Sequence, residues 1–285
     1  MKILLTGKTG QVGYELERTL QGLGEVIALD RQQMDLADLN QVRDVIRTIK
    51  PQLIINPAAY TAVDLAETNV ESAMRINAHA PEVMAAEAKK LGAAMIHYST
   101  DYVFDGEKSG SYSETDIPNP QSVYGRSKLA GEQAIQAAGI PHLILRTSWI
   151  YGLRGKNFLL TVKRLAQERD ELRIVADQFG APTWCRTVAE ATAYCVGRLQ
   201  ADVAQTEINH DAWEAHSGLY HLTAQGKTSW HGFTQAIVAH PAIVKKPKVT
   251  PISTQDYPLP AKRPQNSVLS SERFIQTFCG LPEWD

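Results

Sequence analysis

Short apolar runs alternate with longer stretches of helical period along the first half of the chain. Residues 2–6, 26–30, 53–55, 94–98 and 142–147 are apolar at successive positions rather than at every second one. Such runs suit strands covered on both faces, the condition of a parallel sheet. Between them, apolar spacings of three and four mark helices through Tyr14, Leu16 and Leu20, from Asp35 and Leu36 onward, around Asn77, and after Ser122. Regular alternation of the two patterns predicts an α/β protein with a doubly wound parallel sheet.

After residue 150 the pattern loosens. Residues 157–167 read as a helix, 172–176 as a strand, and 187–199 as a helix capped by Thr183 or Thr187. Prolines then crowd residues 241–264, which excludes regular helix there. The predicted division is a sheet domain over 1–150, with 172–199 packing back onto it, and a smaller C-terminal lobe made of 151–171 and 200–285.

Two places carry chemistry. Between the first strand and first helix lie Gly7, Gly10, Gln11, Val12 and Gly13, a G-x-x-G-x-x-G turn that lets backbone amides approach a pyrophosphate at a helix N-terminus. The plain alternative is a tight strand-to-helix turn. Asp30 ends the second strand about 20 residues later, where a carboxylate meets a ribose, and Arg31 beside it suits a 2′-phosphate, so NADH and NADPH both remain open. Small residues after the third strand, Ala58 and Ala59 with Tyr60 and Thr61, leave room for a ligand.

The second place is Tyr124 and Lys128, an i,i+4 pair on one helix face. An ammonium beside a phenol favours the tyrosinate, and Thr100 at the end of a neighbouring strand supplies a donor to a carbonyl oxygen. Taken alone, Tyr-x-x-x-Lys is more often an exposed helix with a solvated lysine. With Thr100 and the glycine turn it describes carbonyl reduction. Arg263, in the proline-rich stretch, suits a phosphate.

Composition narrows the partners. With 29 basic and 31 acidic residues, a net charge of −2 and no block of like charge, neither nucleic acid nor an anionic membrane surface is expected. The 285 residues are 44% hydrophobic, enough for a sizeable core, yet no apolar run is long enough to span a bilayer. The first residues lead straight into the glycine turn, and a cytoplasmic protein is expected. Cys185, Cys195 and Cys279 show no C-x-x-C spacing and read as reduced structural thiols. His210, His216 and His221 lack ligand spacing and read as solvated loop imidazoles.

Residues 7–13 (GKTGQVG), 56–64 (NPAAYTAVD), 97–106 (HYSTDYVFDG), 124–128 (YGRSK), 146–149 (RTSW), 177–183 (DQFGAPT) and 263–267 (RPQNS) resemble the extended short-chain dehydrogenase/reductases. Within them they are most similar to the dTDP-4-dehydrorhamnose reductases. The resemblance covers nearly the whole chain and includes the widened glycine spacing. It implies a Rossmann-type NAD(P)-binding domain over 1–150, a C-terminal substrate-binding lobe, and reduction of the C4 ketone of dTDP-4-dehydro-L-rhamnose to dTDP-L-rhamnose with NADH or NADPH.

Carried over by position, the resemblance makes Tyr124 the proton donor and has Lys128 tune it and hold the nicotinamide ribose. Thr100 would bond the substrate oxygen, and Asp101 and Trp149 would touch the sugar nucleotide. Gly10, Gln11 and Val12 would contact the pyrophosphate, Asp30 the ribose, Asp35 and Leu36 the adenine side, and residues 59–61 the middle of the cofactor. Some relatives are dimers that hold magnesium. Glu15 matches one ligand position, but Arg186 stands where a second carboxylate is needed, so the expectation is a monomer without magnesium. The chain ends at Asp285, short of the further helix usual in the family, an ending either natural or trimmed. A sister nucleotide-sugar epimerase or dehydratase is the rival enzyme; a dehydratase wants a glutamate beside Thr100 and Asp101, and none follows. A non-catalytic regulatory homologue would tend to lose Tyr124 or Lys128, and both are present.

Overall fold

The protein is described by a computed structural model over residues 1–201 and 207–285. Five strands follow the predicted order: β1 (Lys2–Leu5), β2 (Glu25–Ala28), β3 (Leu53–Asn56), β4 (Ala94–Thr100) and β5 (His142–Thr147). Three later ones are β6 (Glu171–Val175), β7 (Gly218–His221) and β8 (Lys248–Ile252). The main sheet has the order β7-β5-β4-β3-β1-β2 and every pairing in it is parallel. The main helices are α1 (Gln11–Thr19), α2 (Leu39–Ile49), α3 (Ala80–Leu91), α4 (Val123–Ala138), α5 (Phe158–Glu168), α6 (Cys185–Leu199), α7 (Trp230–Ala239) and α8 (Glu272–Thr277).

The successive apolar positions are explained by a core on each face of the sheet. Ile3, Leu5, Ile55, Ile96, Leu143 and Leu145 point to the side of α1, α6 and α8, where they meet Leu16, Val188, Val196 and Phe274. Leu4, Ile54, Met95 and Ile144 point the other way, against Val42 and Ile46 of α2, Met84 of α3 and Ile135 of α4. A residue of either parity is therefore buried, at about 1.5–3 kcal/mol for each large aliphatic side chain. The lobe has its own core, with β6 parallel to β8 and Val162, Leu172, Phe233 and Ile237 closing over the pair.

The structure corrects the sequence reading at several points. The second helix opens at Leu39 rather than at Asp35, because Asp38 caps it by accepting from the Asn40 and Gln41 amides while Asp35 holds the preceding turn. Helix α6 begins at Cys185 without a side-chain cap; Thr183 instead donates to the Ala181 carbonyl, and Thr187 lies inside the helix. Of residues 172–199, only α6 packs on the main sheet, since β6 pairs with β8 in the lobe. Conversely β7, read as part of the lobe, is the sixth strand of the main sheet, its Leu219 and Tyr220 filling the two cores. His221 on β7 is accordingly fully buried, not solvated; burial pushes its imidazole down to about 3, and Nδ1 lies 3.2 Å from the Tyr112 carbonyl. The three cysteines are free thiols; burial pushes Cys185 up to about 11 and Cys195 higher, so neither forms a thiolate readily.

One polar pair is sealed between helix and sheet. Arg146 of β5 donates from Nε and Nη2 to the two carboxylate oxygens of Glu132 on α4, at 2.9 and 2.6 Å, with both residues buried. The bidentate geometry fixes the rotation of α4 over the sheet, and so fixes which face of that helix looks toward β4.

Candidate active site

Strand order reverses between β1 and β3, and the crevice outside their carboxyl ends is where ligands dock in open α/β sheets. The glycine turn lies in it. Gly7 has φ of +61°, and a Cβ there would stand 2.9 Å from that of Ala58, on the loop after β3. A side chain at Gly13 would run into the Gly7 carbonyl. Gly10 caps α1 with no side-chain acceptor, which leaves the amides of Gln11 and Val12 available at the positive end of the helix. A cradle that side chains would fill, lined by amides, fits a pyrophosphate.

Beyond the turn the structure sorts the remaining cofactor candidates. Asp30 Oδ1 accepts from the Gln32 and Gln33 amides at 2.9 and 3.2 Å, and Oδ2 lies 3.6 Å from Lys8 Nζ. Lys8, overlooked within the glycine motif, thus puts a cation beside the expected ribose position. The Arg31 guanidinium is mostly exposed and only loosely tied to Asp35, at 3.4 Å. The Leu36 side chain is buried in the core under α2, so only its backbone is placed to meet the adenine side. Tyr60 is clamped by Asn77, which accepts from its amide at 2.8 Å and donates to its carbonyl at 3.0 Å, while Thr61 is exposed. Asn77 also donates to Ser127 Oγ on α4, so one buried amide ties the cofactor loop to the tyrosine helix. Its signal in the sequence was only a polar residue inside a helical stretch.

Helix α4 starts just before the chemistry. Ser122 caps it through the Gly125 amide, and a Cβ at Gly125 would strike the Tyr102 carbonyl, so the helix is pressed onto the end of β4. Thr100 ends that strand; its hydroxyl donates to Asp101 Oδ1 at 2.9 Å and accepts from the Tyr102 amide at 3.2 Å. Burial pushes the Tyr124 phenol up to about 12, opposed by its hydrogen bond with Thr100 and reinforced by the charge of Asp101. The Tyr102 ring meets that of Tyr124 edge-on at 5.7 Å.

Lys128 departs from expectation. Instead of bonding the phenol, its ammonium donates to the Tyr98 carbonyl at 2.6 Å and lies 3.1 Å from His97 Nε2. Burial lowers it to about 8, with Glu132 opposing. With its phenol pushed up to about 12, Tyr124 holds its proton at neutral pH, as a donor to a substrate oxygen must.

Around this centre the lobe supplies aromatic surface. Trp149 takes a left-handed backbone, φ +46°, and its ring stacks on Trp230 of α7 with centroids 3.5 Å apart. Trp230 Nε1 donates to Gln178 Oε1 at 3.2 Å. Neither Trp230 nor Gln178 stood out in the sequence as a site residue. Arg263, expected to meet a phosphate, forks onto Asp64, at 2.9 and 2.8 Å, and so joins the proline-rich segment to the loop after β3.

A doubly wound sheet, a glycine cradle at its switch point, and a Tyr-x-x-x-Lys helix facing a strand-end threonine define the extended short-chain dehydrogenase/reductase class. Within that class the chain belongs to the family described as RmlD substrate binding domain, which it matches over residues 1–285. It is 47% identical to the dTDP-4-dehydrorhamnose reductase of Burkholderia thailandensis, over 100% of this chain and 95% of that protein. To the protein of the same name from Escherichia coli K12 it is 44% identical, over 100% and 94%. The crystal structure of dTDP-4-dehydrorhamnose reductase from Bacillus anthracis in complex with NADP matches with a TM-score of 0.89 and 33% identity, covering 99% of this chain and 95% of that one.

Asp101 gives a pH signature. One of its oxygens, Oδ2, is buried with no partner among the described residues, and burial raises the carboxyl from 3.8 to about 6. A raised acid binds a proton in the folded state that the unfolded chain has already lost. Its contribution is therefore full below pH 4 and disappears as pH rises through about 6, a change of about 3 kcal/mol. Asp101→Asn should remove that fall from the stability profile measured by urea unfolding between pH 4 and 7. An unchanged profile would show that the carboxyl titrates normally.

Proposed function

We propose that this chain reduces the C4 ketone of dTDP-4-dehydro-L-rhamnose to dTDP-L-rhamnose in the cytoplasm, with Tyr124 as the proton donor. The observation that carries the reading is the convergence of a protonated Tyr124, the Thr100 hydroxyl and a buried Lys128 beside the glycine cradle. The names of the relatives support the substrate, and the bound NADP of the Bacillus anthracis structure supports the cofactor class.

When bound, a nicotinamide cofactor would supply the hydride. The residues of this chain do the rest. The free amides of Gln11 and Val12 would meet the pyrophosphate, with Gly10, whose own amide donates to the Gly7 carbonyl, giving it close approach, and Asp30 would meet the adenosine ribose. The Thr100 hydroxyl turns from Asp101 to donate to the ketone oxygen, polarising it. Tyr124 hands its phenolic proton to the same oxygen, so one hydride at carbon and one proton at oxygen complete the alcohol. Lys128, fixed on the Tyr98 carbonyl, keeps positive charge under the phenol as the proton leaves. Asp101 and the Trp149–Trp230 stack border the sugar nucleotide. Arg263, which gives Asp64 two of its five N–H donors, would offer others to a phosphate of the substrate.

Tyr124→Phe keeps the ring and loses the proton, so kcat should fall by about 10²–10⁴ while the NADPH dissociation constant stays near normal. Lys128→Met should impair both. A Tyr124→Phe enzyme of nearly full rate would move the proton source elsewhere.

Both NADPH and NADH are expected to serve. Arg31→Ala should weaken NADPH by about tenfold or more, the scale of a lost charged hydrogen bond, and spare NADH. Equal losses would remove Arg31 from the phosphate, with Lys8 the next cation to test.

We further read the chain as a monomer that makes no use of magnesium or nucleic acid. The Arg186 guanidinium, held by Glu190 at 2.8 Å, lies along the α6 surface and would repel a cation. Sedimentation with and without magnesium should show one monomeric species; a metal-dependent dimer would contradict this.

A further inference from the structure

The partners of Lys128 continue into a buried polar chain that the proposed reduction does not use. Lys128 Nζ lies 3.1 Å from His97 Nε2, and His97 Nδ1 lies 3.1 Å from Asn56 Nδ2. The Thr6 hydroxyl donates to Asn56 Oδ1 at 2.6 Å. All four residues are buried. They run from α4 across β4 and β3, where Asn56 and His97 are register partners, to the end of β1. Thr6 immediately precedes Gly7, so the chain links the lysine to the root of the phosphate cradle.

Burial, reinforced by Lys128, holds His97 well below the usual imidazole value, so the ring is neutral. A neutral imidazole has one donor nitrogen and one acceptor. Two arrangements then satisfy the chain. An ammonium can only donate, so it requires Nε2 as acceptor; the ring proton sits on Nδ1 and donates to the oxygen of an Asn56 amide turned by half a revolution. A neutral amine can accept, so Nε2–H donates to Lys128, Nδ1 accepts from Asn56 Nδ2, and Thr6 donates to Asn56 Oδ1. A half-turn of the Asn56 amide interconverts the two arrangements while the heavy-atom positions of the chain stay the same.

We propose that His97 is a positioning residue whose tautomer follows the proton of Lys128, so that the lysine keeps one partner and one place whether charged or neutral. Burial brings the lysine to about 8, within reach of a working pH. Among the described residues no other titratable group near the lysine competes for that role. Glu132, on the same helix, is bonded through both oxygens to Arg146 of β5. Tyr124 faces Thr100, and the Asp101 carboxylate accepts from Thr100. Tyr98 turns its hydroxyl to Thr192, and Tyr102 meets the Tyr124 ring. From the neighbouring helical elements, Glu67 accepts from the Val123 amide and Arg75 donates to the Ala37 carbonyl. His79 pairs with Glu82, and Glu87 with Arg47 and Lys90. Arg126, on the same helix, is exposed, and Asn77, which donates to Ser127 Oγ, is neutral.

The inference deepens the role given to Lys128, and only its kinetic arm rests on that role. The direct test is nitrogen NMR on the wild-type enzyme carrying ¹⁵N-labelled histidine, with the His97 signals assigned by their loss in His97→Gln. The ring should pass from the Nδ1–H to the Nε2–H tautomer as pH rises through about 8, and Lys128→Met should abolish the change. A single tautomer across the range, or an imidazolium, would overturn the inference while leaving Lys128 in its proposed role. The kinetic arm compares two substitutions. Glutamine can both accept from and donate to the lysine, so His97→Gln should keep the wild-type pH profile of kcat/KM. His97→Leu should displace the alkaline limb and lower kcat by at least about tenfold, the scale of a misplaced catalytic group. Identical profiles for the two variants would overturn the positioning role.

Discussion

A lysine with no exposed charge is the constraint on which the site depends. Lowering Lys128 from 10.5 to about 8 costs about 3 kcal/mol of stability at neutral pH, because the unfolded chain would carry the same charge in water. The fold bears that cost by giving the ammonium the Tyr98 carbonyl, the His97 ring and a distant Glu132 whose own charge is shared with Arg146. In return the charge is fixed at one point, on the Tyr98 carbonyl and beside His97, and does not wander on a flexible stem. Holding the helix in that rotation is the work of Arg146 with Glu132 and of Asn77 with Ser127, both sealed from solvent.

The crevice itself is closed by contacts between the sheet domain and the lobe. Asn157, which caps α5, donates to Gln11 Oε1 at 2.8 Å, so the lobe's first helix is tied to the cofactor cradle. Arg263 on Asp64 ties the proline-rich segment to the loop after β3. Trp149 on Trp230 stacks the loop after β5 on α7. Each joins a loop at the carboxyl ends of the strands to the lobe, so a ligand entering the crevice meets both at once. Asp64 takes two of the five guanidinium donors of Arg263 and the Ala261 carbonyl a third, so the pair orients the guanidinium and still leaves it donors for a second anion.

The parts of the fold set by local pattern were legible in the sequence. Doubly buried strands announce themselves as continuous apolar runs, and β1 to β5 fell where those runs did. The glycine turn was legible because its φ and close approaches admit little else. What failed depended on distant partners. Residues 218–221 look like any short strand, and only the open edge of β5 makes them the sixth strand of the main sheet; with that, His221 moves from solvent to core. That the Leu36 side chain completes the core beneath α2 was also not legible from its position in the chain. The lysine and phenol share a helix face as expected, but whether they bond is decided by the Tyr98 carbonyl and His97 across the interface, which spacing along one helix cannot report. Arg263 likewise has its carboxylate 199 positions away in the chain.

The central claim is that this constellation performs a net reduction, with the hydride left on the substrate. The most direct measurement supplies NADPH deuterated at the transferring position, together with dTDP-4-dehydro-L-rhamnose, and locates the label by NMR and mass spectrometry. The account predicts one cofactor oxidised per sugar consumed, with deuterium at C4 of the product. A sugar isomerised or dehydrated with no net oxidation of the cofactor, and with no label retained at C4, would contradict it and assign the chain to the epimerase or dehydratase chemistry of its wider class.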